Sequence, residues 1–268
     1  MPEAAEVPLL VRRDGAVVRA TLNRPARRNA MSTALLEALD VLIAELSQDS
    51  TARALVITGA GGHFCAGLDL TEVGAPAASA EQKLAEQLER NRRTGARFAA
   101  ISALPQVVIA AVQGSAFAGG LGFVCAADIA LASADARFSA PEVRRGLVPA
   151  QILPWLVRRM GRSQAARLSL QGGVLDAAEA ARVGLVHEVF DDATALQAGV
   201  EAVLRDVMQG GPRALAETKG LLAALGPVAT EAYADAGAQA FARCASGAEA
   251  AEGIASFKAK RPPAWTLP

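Results

Sequence analysis

An α/β core followed by an α-helical subdomain is the architecture this sequence encodes. Three observations lead there. Short apolar runs at Ala54–Thr58, Val107–Val112 and Asp128–Ala132 read as buried parallel strands. Stretches of helical character, Ala34–Leu46 and Gln82–Leu104, alternate with them. Beyond Ala150 helical patterns dominate, punctuated by Gly161, Gly172-Gly173, Gly184, Gly210-Gly211-Pro212 and Gly226-Pro227. The pattern predicts an α/β core over residues 1–200, carrying the ligand-binding and catalytic site, and a C-terminal helical subdomain over 201–268.

The elements follow in order. Glu6–Arg12 and Ala16–Leu22 alternate around Asp14-Gly15, a hairpin signal. Asn23-Arg24-Pro25 breaks that pattern, and Ser32 and Thr33 can cap the helix over Ala34–Leu46. The strand Ala54–Thr58 ends at Gly59-Ala60-Gly61-Gly62. Gln82–Leu104, rich in Ala, Glu and Arg, reads as a helix, and a short strand is expected near Leu185–Val189.

With 268 residues, 52% of them apolar, the chain can bury a sizeable core. Its unbroken apolar runs are too short to span a bilayer. The first residues, MPEAAEVPLL, carry acids and no basic cluster, so a secretory signal is not expected, and the odd number of widely spaced cysteines leads to the expectation of a reducing, cytoplasmic setting. Lys+Arg and Asp+Glu both number 27, which favours neither nucleic acid nor an anionic membrane as partner. Three widely spaced cysteines and two histidines give neither a disulfide framework nor a metal pattern.

Two glycine-rich turns follow strands. In Gly59 to Leu70 a dinucleotide-binding G-x-G-x-x-G fails, because Phe64 stands where the last glycine belongs. Two readings remain: an ordinary tight turn, which the segment taken alone favours, or a narrow backbone ledge over Ala66–Leu68 that a ligand approaches closely. In the second turn, Gly114 to Gly122, a helix is expected to begin near Gly119. Its first N–H groups lack intrahelical partners, and the helix dipole adds positive potential, so an oxyanion would be stabilised there. Close helix–sheet packing is the competing explanation for the glycines, which each cost roughly 0.8–1.0 kcal/mol relative to alanine in a helix interior.

Glu142 closes Ser139-Ala140-Pro141-Glu142. That spacing fits a capping box with Ser139 as N-cap, and it equally fits a general base projecting from a helix start. The preceding oxyanion turn tilts the choice toward chemistry. His63, His187, Cys65, Cys125, Asp69 and Asp128 read as structural. Phe117, Phe123, Val148, Leu153 and Trp155 are candidates to shape an apolar pocket, though residues at such spacing usually form core.

These pieces together resemble the crotonase (enoyl-CoA hydratase/isomerase) family. The resemblance spans about Val7 to Trp265. It rests on Leu22-Asn23-Arg24-Pro25 with Asn29-Ala30-Met31, Phe64 to Leu70, Ala111 to Gly120, Ala127-Asp128-Ile129, Phe138 to Gly146 and Phe257 to Pro262. It implies a crotonase-type β-β-α superhelix whose C-terminal helices join subunits into a homotrimer or hexamer. It further implies an acyl-CoA substrate, with coenzyme A as part of that substrate and no separate cofactor or metal. The thioester oxygen would sit between the N–H groups of Leu68 and Gly119, with Glu142 transferring the proton. The segment around Arg27 and Arg28 would lie near the CoA phosphates. Ala66 would line the adenine or pantetheine path, with Asp69, Leu70 and Gly120 alongside. Phe257 and Lys260 would reach CoA, in this family that of a neighbouring subunit.

One departure matters for the reaction. Hydratases of this family usually grip a water with two glutamates, and the first of those positions is Gly122 here. The missing acid, the Pro149-Ala150-Gln151-Ile152 variant and the Pro-Ala-Trp ending look like the hydratase branch acting on isohexenylglutaconyl-CoA. The expected reaction is reversible water addition to a branched or carboxylated α,β-unsaturated acyl-CoA. Gly122 is expected to leave open space, where the substrate carboxylate or Gln151 helps orient the water. A Δ3,Δ2-enoyl-CoA isomerase using Glu142 alone is the first alternative, and a non-catalytic CoA-binding protein the second.

Overall fold

A computed structural model of the chain describes residues 7–72, 79–224, 235, 238–239, 241–242 and 245–261. Glu6, Gly226-Pro227, Cys244, Pro262 and the Pro-Ala-Trp ending lie outside these residues. In chain order the strands are β1 (Leu9–Asp14), β2 (Val17–Leu22), β3 (Ala54–Gly59), β4 (Val107–Val112), β5 (Ser115–Phe117), β6 (Ile129–Ser133), β7 (Arg137–Ser139), β8 (Val174–Asp176) and β9 (Glu188–Phe190). The helices are α1 (Thr33–Gln48), α2 (Ala80–Ala103), α3 (Gly119–Ala126), α4 (Leu153–Gln171), α5 (Ala177–Arg182), α6 (Ala193–Val207), α7 (Pro212–Ala224) and α8 (Ala248–Lys258).

The main sheet runs β1-β2-β3-β4-β6-β9. Its first pair is an antiparallel hairpin with Leu9 opposite Leu22, and the other pairings are parallel. A second sheet, β5-β7-β8, stands beside it. Two sheets with helices packed against them make the α/β core that the sequence predicts. Alternation explains why the central strands are apolar throughout. Leu55 and Ile57 of β3 and Val108 and Ala110 of β4 face one core, together with α1, α2 and α3. Ala54, Val56, Val107 and Ile109 face the other, which Leu196, Val200 and Leu204 of α6 cover. The chain passes residue 200 inside that helix. No helix among the described residues is long and apolar enough to cross a membrane.

Local chemistry sets the element ends. Ser32 caps α1 by accepting from the Leu35 N–H, and Ser79 caps α2 from the Gln82 N–H. The helix expected from Gln82 therefore starts at Ala80. The strand expected from Asp128 starts one residue later, because the Asp128 carboxylate is taken by the Val108 N–H and Lys219 Nζ. The late strand expected at Leu185–Val189 is shorter and lies at Glu188–Phe190, after the Leu185 N–H has bonded back to Ala180 O.

Candidate active site

The first glycine turn becomes a rung laid between two others. Cys65 donates to Ser115 O at 2.9 Å and accepts from Phe117 N–H at 2.9 Å. Further along, Met31 N–H donates to Gly67 O at 2.8 Å, and Asp69 N–H donates to Met31 O at 3.1 Å. Because Gly67 and Asp69 both bond Met31, the Leu68 N–H between them faces away from it. It meets no acceptor among the described residues. Gly67 has φ +92°, and a Cβ there would lie 2.9 Å from Ala118 Cβ and 3.7 Å from Gly119 N. The two turns are thus flush against each other.

The second turn ends in a helix at Gly119, as expected. Ala118 precedes it with φ 50° and ψ −122°, a sparsely populated conformation for a residue with a Cβ. Its N–H is tied to Ser139 O at 2.9 Å. The Gly122 N–H is the first to reach a carbonyl at the helix head, Ala118 O, so the Gly119 N–H is left free of an intrahelical partner. Gly120 answers to packing instead: a Cβ would come within 2.8 Å of Cys65 Cβ.

Gly122 corrects an expectation. It does not open space. A Cβ there would run into the Phe98 ring and Ile152 Cγ2, and Phe98 packs edge-on against Phe123 with centroids 5.2 Å apart. The place where a family hydratase carries its first glutamate is filled by hydrocarbon.

Glu142 is not half of a capping box. The Ser139 hydroxyl donates to Gly173 O at 2.7 Å, and the short 3₁₀ turn Glu142–Arg145 begins with no side-chain cap. Burial pushes the Glu142 carboxyl up to about 7, against the lowering field of Arg145. Its Oε2 is buried without a hydrogen-bond partner among the described residues. The Arg145 guanidinium stacks 4.4 Å from the Phe257 ring centroid and donates to Pro141 O at 3.3 Å.

A cavity of about 140 Å³ gathers much of the expected set: Ala66, Leu68, Leu70, Gly119, Glu142 and Phe257, with Phe117 and Val148. Phe257 lines this chain's own cavity. Other expected positions stand apart. Asp69 is buried, and its carboxylate is held by Arg24 at 2.9 Å and by Thr71, which ties down the loop. Gly120 packs on Cys65. Lys260 is exposed at φ 52°. Arg27 and Arg28 are exposed on a 3₁₀ turn whose Arg28 carbonyl accepts from the Ala66 N–H at 3.0 Å, which sets them on the surface beside the ledge. Phe123 and Trp155 belong to the core.

Sequence reasoning missed the polar wall. Asn91 and Thr94 of α2 line the cavity, and Asn91 Oδ1 accepts from Gln151 Nε2 at 2.9 Å. Gln151 lies flat on Gly95, where a Cβ would sit 2.8 Å from Gln151 Cδ. The signal was present: Asn91, Thr94 and Gly95 lead into Phe98 and Ile101 on the buried stripe of an otherwise charged helix. The second omission is Asn29, fully buried at φ 54°, whose amide ties Arg24 N–H to the carbonyls of Ala60 and His63 and so fixes the first turn. The expected structural residues do bond locally, His63 to Ser115 and His187 to Ala130.

Two backbone amides on abutting turns and one carboxylate in the same cavity, all without partners among the described residues, can polarise a carbonyl and move a proton beside it. The chain belongs to the enoyl-CoA hydratase/isomerase family, whose model matches residues 12–267. It is 34% identical over 256 residues to the 2,3-dehydroadipyl-CoA hydratase of Escherichia coli strain K12, covering 95% of this chain and 97% of the other. Among solved structures it resembles Pseudomonas aeruginosa AtuE, with 42% identity, TM-score 0.78, and 97% and 100% of the two chains covered. An enoyl-CoA hydratase from Mycobacterium avium is similar at 35% identity and TM-score 0.84, with 97% and 100% covered.

Proposed function

We propose that this enzyme adds water reversibly across the α,β double bond of a branched or carboxylated enoyl-CoA. The single observation that carries the reading is the buried Glu142 Oε2, without a partner among the described residues, in the cavity that Leu68 and Gly119 also line. The Leu68 and Gly119 N–H groups hold the thioester oxygen as negative charge grows on it. Glu142 takes a proton from water as the water oxygen bonds C3, and the same carboxyl then delivers that proton to C2. One group can do both, because a carboxyl near 7 is poised to accept and to give at neutral pH. Gln151, held by Asn91, is the polar wall that orients the water. Hydration needs only proton transfer and oxyanion stabilisation, so no metal or redox cofactor is required. Coenzyme A arrives with the substrate, near Ala66 and the Arg27–Arg28 surface. The carboxylated substrate class is supported by the likeness to a 2,3-dehydroadipyl-CoA hydratase and by the resemblance to the isohexenylglutaconyl-CoA branch. Assembly as a homotrimer or hexamer is part of the same proposal.

The filled space at Gly122 favours one further reading, because a single acid suffices for Δ3,Δ2 double-bond isomerisation. Incubation with an enoyl-CoA in heavy-oxygen water separates the two. Hydration places the label in a 3-hydroxyacyl product. Migration of a Δ3 double bond with no label incorporated would replace hydration by isomerisation.

A further inference from the structure

The Glu142 cavity continues into a lobe of about 60 Å³. The two share Leu68, Leu70, Asn91, Thr94, Leu147 and Phe241, and the lobe adds the polar side chains of Gln87 and Arg90, which the cavity lacks. Gln87, Arg90, Asn91 and Thr94 recur at i, i+3, i+4 and i+7 along α2, so one helix face supplies the polar side of cavity and lobe together.

Arg90 differs from the other arginines of that helix. Arg92 pairs with Glu89 and Asp235, and Arg93 and Arg97 both pair with Asp40. Arg90 has no ion pair and no side-chain hydrogen bond among the described residues. Glu86, one turn earlier, is its natural helical partner, yet that carboxylate accepts from Gln82 Nε2 at 2.9 Å. Next to it in the lobe, Gln87 Oε1 is buried and has no hydrogen-bond partner among the described residues. A half-buried guanidinium with no ion pair among the described residues can take an anion, and the neighbouring Gln87 amide, whose oxygen is unsatisfied as placed, can turn its nitrogen toward the same group. The planar fork of a guanidinium matches a carboxylate.

We infer that Arg90 binds a carboxylate at the far end of the substrate's acyl chain, with Gln87 turning its amide nitrogen to the same group. The inference deepens the hydratase reading and rests on it for the direction of the acyl chain. It makes the lobe the specificity pocket: chains ending in a carboxylate are held, and chains ending in a methyl group leave Arg90 unpaired and desolvated.

Arg90 also borders an outer groove where Arg93 and Arg97 stand among Glu37, Asp69, Glu72, Glu86 and Glu89; a phosphate of coenzyme A reaching those arginines is the competing anion. The test must separate the two. Adipyl-CoA and hexanoyl-CoA have equal chain length and the same CoA, and differ in the terminal carboxylate. Titration calorimetry on the full-length protein should show adipyl-CoA bound about 10-fold or more tightly. Arg90→Met should erase that ratio, and Arg90→Lys should keep part of it, with circular dichroism confirming the fold of each. The inference is overturned by equal affinities in the parent protein, or by a preference that survives Arg90→Met. Equal weakening toward both ligands overturns it too, and assigns Arg90 to the CoA phosphates. Failure of the hydratase reading shows elsewhere, as product without heavy-oxygen label, and leaves this binding ratio intact.

Discussion

The Phe98 ring occupies the space that a side chain on Gly122 would need. The exchange is reciprocal, because the same ring packs edge-on against Phe123 and seals the core behind α3. The loss of the first glutamate is therefore built into the packing. Reinstating the acid should fail. Gly122→Glu is expected to destabilise the protein by about 1–3 kcal/mol or more, as overpacking of a filled core does. It should gain no hydratase rate. Pairing it with Phe98→Ala should recover part of the stability relative to Gly122→Glu alone. Urea unfolding of the three variants checks this, and an unchanged midpoint for Gly122→Glu would refute the packing.

The pattern of legibility follows from this. The main sheet and the start of α3 were readable because each rests on a local signal, an apolar run or a glycine-rich turn. Glu142 was readable only as a choice between cap and catalyst, since Ser139-x-x-Glu142 fits both; the hydroxyl bond to Gly173 O, made across 34 positions, removes the capping box. The strands β5, β7 and β8 have three residues each, too few to show alternation. Gly122 misled because a missing side chain looks like a void in one dimension. Phe98, 24 residues earlier in the chain, fills it, and no local spacing encodes that meeting.

Gly67 tests the amide pair. Its φ of +92° disfavours any side chain, and a Cβ would press on Ala118 Cβ at 2.9 Å, displacing the head of α3 from the Leu68 ledge. Gly67→Ala is expected to lower kcat about 10²–10³-fold, the scale of losing one oxyanion donor. The fall should appear mainly in kcat, with a smaller change in the dissociation constant of a saturated acyl-CoA. Steady-state kinetics beside calorimetric titration reads the split, and undiminished kcat would remove these amides from the reaction.

Glu142→Gln should reduce activity and raise stability at once. As the general base its loss is worth about 10²–10⁴ in kcat. The stability effect has a defined sign. The carboxyl is raised from 4.5 to about 7 in the folded protein. Below pH 4.5 both states are protonated and ionisation costs nothing. Between 4.5 and 7 the unfolded chain releases its proton first, so stability falls with rising pH. Above 7 the full penalty stands, about 3 kcal/mol at 1.36 kcal/mol per unit. The variant should therefore match the parent near pH 4 and exceed it at pH 8. Chemical denaturation at the two pH values checks it, and parallel curves would show that Glu142 is not held in a desolvated site.

The acid limb of catalysis should report the same carboxyl, and Arg145 should move it. Hydration needs Glu142 ionised, so kcat/KM is expected to rise with pH to a plateau, with its midpoint about 7. The Arg145 charge favours the ionised form and partly offsets burial. Arg145→Met removes that charge while keeping an unbranched side chain against the Phe257 ring. The midpoint should then move to higher pH, and activity at pH 6 should fall more than activity at pH 9. A purely structural role for Arg145 would lower the whole profile without moving its midpoint. The shift is thus the diagnostic readout, measured as kcat/KM from pH 5 to 9. A midpoint that stays in place would break the electrostatic link between Arg145 and Glu142.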